Sequence, residues 1–179
     1  MITSSGDNVM CSTELWPRTT HPPITIRPIE PADADMEAEF VRRLSPKTRR
    51  FRFLGGLREL TPKMLKSLCD VDYDQSMAFV ATASEEGEEV WVGVSRYAPN
   101  TEEGAREMAV TVADDWQHQG VGTLLTKKLI EFAKDHGVKR LYSVDLADNA
   151  PMRQFADKIG MSVRHDPENA HQVIYSLTL

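Results

Sequence analysis

At 179 residues the chain is long enough for one well-filled core and too short to make two domains the expectation. Apolar residues make up 41% and charged residues 27%, as in ordinary globular proteins, and no apolar run approaches the roughly 18 residues of a membrane span. The net charge of −6 argues against general nucleic-acid or membrane binding, so neither is expected as a partner.

Residues 1–23, "MITSSGDNVMCSTELWPRTTHPP", lack the basic and apolar regions of a secretory signal. Rich in Ser, Thr and Pro and without periodicity, they read as a poorly ordered leader before a domain over 24–179. "ITIRPIE" has the β-branched content of a strand. "PADADMEAEFVRRLS" has acids early and arginines late, which suits the dipole of a helix. "SPKTRRFRFL" and "TPKMLKSL" each open with an N-cap residue followed by proline, the signature of a helix start. "MAFVATA" and "EVWVGVSRYA" flank the turn "SEEGE" as an antiparallel pair. "EMAVTVAD" alternates, with Met108, Val110 and Val112 on one face. After "DDWQHQGVG", the residues Val121, Leu124, Leu125, Ile130, Phe132 and Ala133 fall largely on one helical stripe, closed by Gly137 as C-cap. "LYSVDL" reads as a strand, "NAPMRQFADKIG" as a short helix and "HQVIYSLTL" as a last strand. This order predicts a single α/β domain with a mixed central sheet flanked by helices.

The two cysteines, Cys11 and Cys69, form no CxxC and no Cys/His cluster with metal spacing. A reducing cytoplasm is therefore the expected setting, and no metal site is expected.

The stretch "DDWQHQGVG" places glycines between a strand and a helix N-terminus. Unpaired N–H groups at the first helical turn, with the helix dipole, favour an anion. Glycine lets the backbone approach a phosphate with no Cβ in the way. The P-loop sequence GK[ST] is absent, and the third glycine of the Rossmann fingerprint is replaced by Leu125. What fits is [Gln/Arg]-x-x-Gly-x-[Gly/Ala], as "QHQGVG" from Gln117 to Gly122. A plain strand-to-helix turn with convenient glycines is the alternative on these six residues alone.

With this motif the sequence resembles the GNAT superfamily of acetyl-coenzyme A-dependent N-acetyltransferases. More narrowly it is similar to the catalytic domain of Pat-type bacterial protein lysine acetyltransferases. The resemblance is carried by "ITIRPIEPADAD", "FVRRLSPKTRRFRFLGGLRELTP", "DYDQSMAFVA", "GVSRYAP", "EMAVTVADDWQHQGVGTLL" and "DNAPMRQFADKIGM". It covers residues 24–179. It implies a GNAT-like fold, acetyl-coenzyme A as co-substrate and an amine acceptor. It implies that the backbone of Gln117, His118, Gln119, Gly120, Val121, Gly122 and Thr123 holds the coenzyme's pyrophosphate. The strand around Val110 and Val112 would pair through its backbone with the pantetheine arm, where an N–H can also stabilise an oxyanion. Asn149 would touch pantetheine, and as an N-cap it also has a structural reading. Pat-type proteins usually carry an additional ligase-like or cyclic-nucleotide domain, and neither is expected within these 179 residues.

The chemistry needs a neutral amine, and a lysine of pKa near 10.4 is neutral about once in 2,500 molecules at pH 7. The resemblance places a catalytic glutamate at Glu107; an exposed strand-end carboxylate is the bland alternative. Asp145 is the weaker rival base, and Asp114 and Asp115 read as caps of the following helix. Many members of the superfamily use a tyrosine acid seven residues after the asparagine, where this sequence has Ala156; Tyr142 and Tyr175 are the nearest phenols. No signal for a covalent enzyme intermediate is present.

A basic segment, Lys47, Arg49, Arg50, Arg52, Arg58, Lys63 and Lys66, has Glu59 as its only acid between 47 and 66. It reads either as solvated helix faces or as a rim that meets an acidic protein surface around a target lysine. The expected function is acetyl transfer to a primary amine by direct attack in a ternary complex, with a protein lysine favoured. A small-molecule amine acceptor and a non-catalytic acyl-coenzyme A sensor are the alternatives, and the assembly is expected to be a monomer or homodimer.

Overall fold

A computed structural model describes residues 12–14, 22–56, 59–99 and 102–179. The strands are β1 (Ser12–Glu14), β2 (Ile24–Pro28), β3 (Met77–Glu85), β4 (Glu88–Pro99), β5 (Ala105–Val112), β6 (Arg140–Leu146), β7 (Ser162–His165) and β8 (Gln172–Thr178). The helices are α1 (Ala34–Arg43), α2 (Pro46–Arg52), α3 (Pro62–Cys69), α4 (Val121–Asp135) and α5 (Ala150–Ile159). The strands form one mixed sheet in the order β1-β2-β3-β4-β5-β6-β8-β7. Every pairing is antiparallel except β5 with β6.

Local chemistry sets the helix starts. Ser45 and Thr61 accept hydrogen bonds from the N–H groups of Thr48 and Met64, each followed by proline in the first turn. Asn149 caps α5 by accepting from Met152 N, and Gly160 ends that helix with a φ of 79°.

The sheet is covered on both faces. On one face α4 and α5 bury Val121, Leu125, Leu129, Met152 and Ala156 against Met77, Phe79, Val92 and Met108. On the other, Phe40, Val41 and Leu44 pack with Cys69 against Ala78, Val80, Trp91 and Val94. β3 is therefore buried on both faces from Met77 to Ala83. This second face holds a buried ion pair, Arg96 Nη2 to Glu37 Oε1 at 2.6 Å.

Three details depart from the sequence reading. The α4 stripe is Val121, Leu125, Leu129 and Ala133, which are buried, with Ile130 and Phe132 on its flanks. The leader contributes β1, which pairs Ser12–Glu14 with Ile24–Ile26. β7 was not expected, because all four of its residues are exposed and carry no alternation. Ala156, at the position where relatives have a tyrosine, is fully buried in the core. Cys11, Arg58 and leader residues 1–10 and 15–21 lie outside the described residues.

Candidate active site

The parallel pair β5–β6 is short. It runs only from Ala105–Glu107 against Arg140–Tyr142, while β5 continues to Val112. Beyond Glu107 the two strands part, and the opening is a cleft of about 740 Å³.

The open edge of β5 can be read from its pairing with β4. Ala113 N donates to Val92 O at 2.9 Å. Antiparallel strands exchange hydrogen bonds at alternate residues, so Thr111 and Ala109 also turn their backbone groups to β4. Met108, Val110 and Val112 then turn theirs away from β4, along the cleft. Val112 O uses one of these groups to accept from Gln117 Nε2 at 3.1 Å.

At the far end of this edge stands α4. Its N-cap is Gly120, with a φ of 91° that favours glycine, and no side chain caps its first turn. Its opening N–H groups face the cleft, which Gln117, His118, Gly120, Gly122 and Thr123 line. His118 holds a φ of 60°, a conformation side chains adopt at a cost. A Cβ built on Gly122 would stand 3.4 Å from Val112 Cγ2 and 3.8 Å from Val110 Cγ2 and Phe155 Cε2. Helix and strand are thus close enough that a single Cβ would reach ordinary contact distance, with little room for a larger side chain.

Two residues of the expected loop do not present side chains to the cleft. Val121 is buried in the core. Gln119 Nε2 turns back to Asp115 O at 2.8 Å. Only their backbone groups are at the turn.

Asp114 is not a cap of α4. Its carboxylate accepts from Ser45 N at 2.8 Å, Ser45 Oγ at 2.6 Å and Thr48 Oγ1 at 2.7 Å, which ties α2 to the loop. Burial pushes this carboxyl up, but the bonds from Ser45 and Thr48 outweigh it and hold Asp114 below the ordinary carboxylate range. Gln117 Nε2 joins the same cluster through Thr48 Oγ1 at 3.2 Å. So α2 is anchored at one end to the glycine loop, and Lys47, Thr48, Phe51 and Arg52 line the cleft from above.

Glu107 lies at the last paired position before the strands part, exposed and lining the cleft. It shares the α2 face of the sheet, and Tyr142 OH is 3.5 Å from its Oε2. Tyr175, the other phenol considered, is buried in the core and does not line the cleft.

Asp145 is buried and takes both Asn149 Nδ2 contacts, at 3.0 and 3.1 Å, with Leu146 N at 2.7 Å. Burial pushes its carboxyl above the ordinary range. Asn149 is thereby fixed: its Oδ1 caps α5 and its amide is held by Asp145, while both residues line the cleft.

Much of the basic segment is engaged. Arg49 donates to Leu44 O at 3.0 Å, at the end of α1. Arg50 pairs with Asp148 at 3.1 Å, from α2 to the loop after β6. Burial pushes Arg52 down to about 10. This is not a uniform solvated rim.

A strand parting from its parallel neighbour, with an uncapped helix N-terminus at the opening, suits an acyl-coenzyme A transferase of the GNAT type. The chain belongs to the acetyltransferase (GNAT) family, whose profile matches residues 44–161. It is 47% identical over 156 residues to the acetyltransferase PA5475 of Pseudomonas aeruginosa, covering 87% of this chain and 84% of that protein. It is 32% identical over 143 residues to the acetyltransferase Pat of Mycolicibacterium smegmatis, covering 79% of this chain. The match spans 42% of that longer relative. In fold it is similar to the GNAT domain of S. lividans PAT, with a TM-score of 0.78 at 21% identity over 88% of this chain and 91% of the other. The family uses acetyl-coenzyme A, and the protein is an N-acetyltransferase of that family. Among the described residues no helix is long and apolar enough to cross a membrane.

Proposed function

We propose that the chain acetylates a primary amine, with a protein lysine as the favoured acceptor, by direct attack of the amine on the acetyl thioester in a ternary complex. The observation that carries this reading is the position of Glu107, an exposed carboxylate where β5 and β6 part and the open β5 edge begins. A base at that point converts the ammonium to the attacking amine, a contribution of about 10²- to 10⁴-fold.

The supporting parts divide along the cleft. The uncapped first turn of α4 and the backbone of Gln117 to Thr123 suit a pyrophosphate. The open-edge groups of Val110 and Val112 suit the amides of pantetheine, and a fixed N–H there stabilises the developing oxyanion. Asn149, fixed by Asp145, borders the same channel. With Ala156 buried, the thiolate leaves without a tyrosine at that position. A simple thiol has a pKa near 8.5, so its thiolate is a tolerable leaving group. Resemblance to Pat-type enzymes favours lysine over a small amine, in a cytoplasmic setting.

The test is release of free coenzyme A, measured with a panel of proteins and small amines, with mass spectrometry locating the acetyl group. Acetyl on a lysine ε-amine is expected. Release of coenzyme with small amines alone would move the acceptor class.

A further inference from the structure

Lys47, Arg52 and Lys158 line the cleft, and Arg50 and Arg96 lie outside that lining. Arg50 has Asp148. Arg96, behind the strand, has Glu37 on Nη2 and Leu68 O on Nη1. Among the described residues no carboxylate lies within 4.0 Å of Lys47, Arg52 or Lys158; of the three, Arg52 alone carries a planar fork and feels both Arg96 and Glu107.

Its surroundings make that isolation costly. Burial pushes its pKa down, the positive charge of Arg96 adds to the push, and Glu37 and Glu107 only partly offset them. Arg52 is half-buried, and a partly desolvated cation next to a like charge gains from an anion that completes it. The guanidinium stacks over the Phe53 ring at 5.0 Å, which orients its fork.

The coenzyme's phosphates do not meet this need. Their turn lies beyond Val112, five residues along β5 from Glu107, or about 17 Å of strand. Arg52 is at the Glu107 end. Phe51 and Leu54 line the cleft on the same side, and Leu54 is 40% exposed with a φ of 50°. An exposed leucine held in that conformation beside an unpaired guanidinium makes a small apolar surface with a cation at its edge.

We infer that Arg52 receives a carboxylate carried by the acceptor, so that the enzyme selects amines with a carboxylate nearby over amines without one. This rests on the proposed acetyl transfer to an amine beside Glu107, which shares the α2 face of the sheet. The planar fork donates two parallel hydrogen bonds to a carboxylate. The carboxylate comes either from an acidic side chain beside a lysine or from a free amino acid, and the acceptor's carbon chain lies along Phe51 and Leu54.

Matched acceptors test this by steady-state kinetics with acetyl-coenzyme A. One pair is Nα-acetyl-lysine and its amide; the other is a peptide with blocked ends whose lysine is flanked by glutamates or by glutamines. The parent should favour the carboxylate member of at least one pair by about tenfold or more in kcat/KM. The pair that discriminates names the source of the carboxylate. Arg52→Gln should bring that ratio to within about twofold of one, and Arg52→Lys should keep part of it. Calorimetry with acetyl-coenzyme A confirms that each variant is folded. Equal turnover of both members by the parent, or a ratio untouched in Arg52→Gln, overturns the inference and leaves the acetyltransferase reading standing. Absence of turnover with all four amines, despite coenzyme binding, overturns both. The parent's ratios decide even if Arg52→Gln does not fold.

Discussion

Gly122→Val should close the coenzyme site while leaving the fold in place. The magnitude follows from the gap between α4 and β5. An alanine Cβ would already stand 3.4 Å from Val112 Cγ2, so alanine fits at contact distance. It gains up to about 1 kcal/mol of helix propensity over glycine. Valine adds two methyl groups about 1.5 Å further out. They meet Val110, Val112 and Phe155 or enter the cleft. Overpacking of this kind costs about 1–3 kcal/mol, or a fall in Tm of roughly 2–12 °C for a chain of this size. The same methyls keep a phosphate oxygen from reaching the first-turn N–H groups at about 2.9 Å. A hydrogen bond to a charged group contributes about 1.5–3 kcal/mol, so losing one weakens binding roughly 10- to 150-fold. Calorimetry with acetyl-coenzyme A should show that loss for Gly122→Val and only a few-fold change for Gly122→Ala. A folded Gly122→Val that binds like the parent refutes the phosphate-turn reasoning.

Asp114→Asn should loosen α2 at neutral pH, by about 1 kcal/mol given the exposure of the site. Since the folded state holds this carboxyl low, its contribution is present above the ordinary carboxylate range and is lost as pH falls through the depressed value. The parent's Tm advantage over Asp114→Asn at pH 7 should therefore shrink towards pH 3; a constant gap would contradict the pairing with Ser45 and Thr48. Cys69 is buried and its thiol is pushed up to about 12 by burial and then by Glu37, so it should resist alkylation until the protein unfolds. In a Cys11→Ser background, labelling of the native protein as fast as of the unfolded one would contradict this burial. Cys69→Ala should keep kcat, and its loss with folding intact would reopen a covalent route.

What the sequence disclosed was local. Ser45-Pro46 and Thr61-Pro62 announce α2 and α3 because an N-cap and a proline act within one turn. The glycine turn is legible for the same reason, since Gly120 and the helix start follow one another directly, a few residues after the strand. What stayed hidden depends on partners distant in the chain. Asp114 is followed closely by α4, yet its partners Ser45 and Thr48 come from 69 and 66 residues away in sequence. Arg49, Arg50 and Arg52 are indistinguishable as a basic run, and only the packing of α2 sends them to Leu44 O, to Asp148 and into the cleft. The nearness of Tyr142 to Glu107 follows from the β5–β6 register, which no local pattern encodes. β7 escaped because an edge strand exposed at every residue has no period-two signal. Glu107 itself was found through family resemblance, since an exposed glutamate at a strand end is unremarkable by type alone.

The pH dependence of kcat in Glu107→Gln tests the central claim, base-assisted attack where β5 and β6 part. Glutamine keeps the shape and removes the proton acceptor. Coenzyme binding should persist, because the turn at Gly120 lies at the other end of the open strand. Near neutral pH kcat should fall by roughly 10²-fold or more. The deficit should shrink as pH rises towards the amine's own pKa, where solvent has already removed the proton. A Glu107→Gln enzyme with full activity at pH 7, or a deficit that is the same at every pH, would contradict the account.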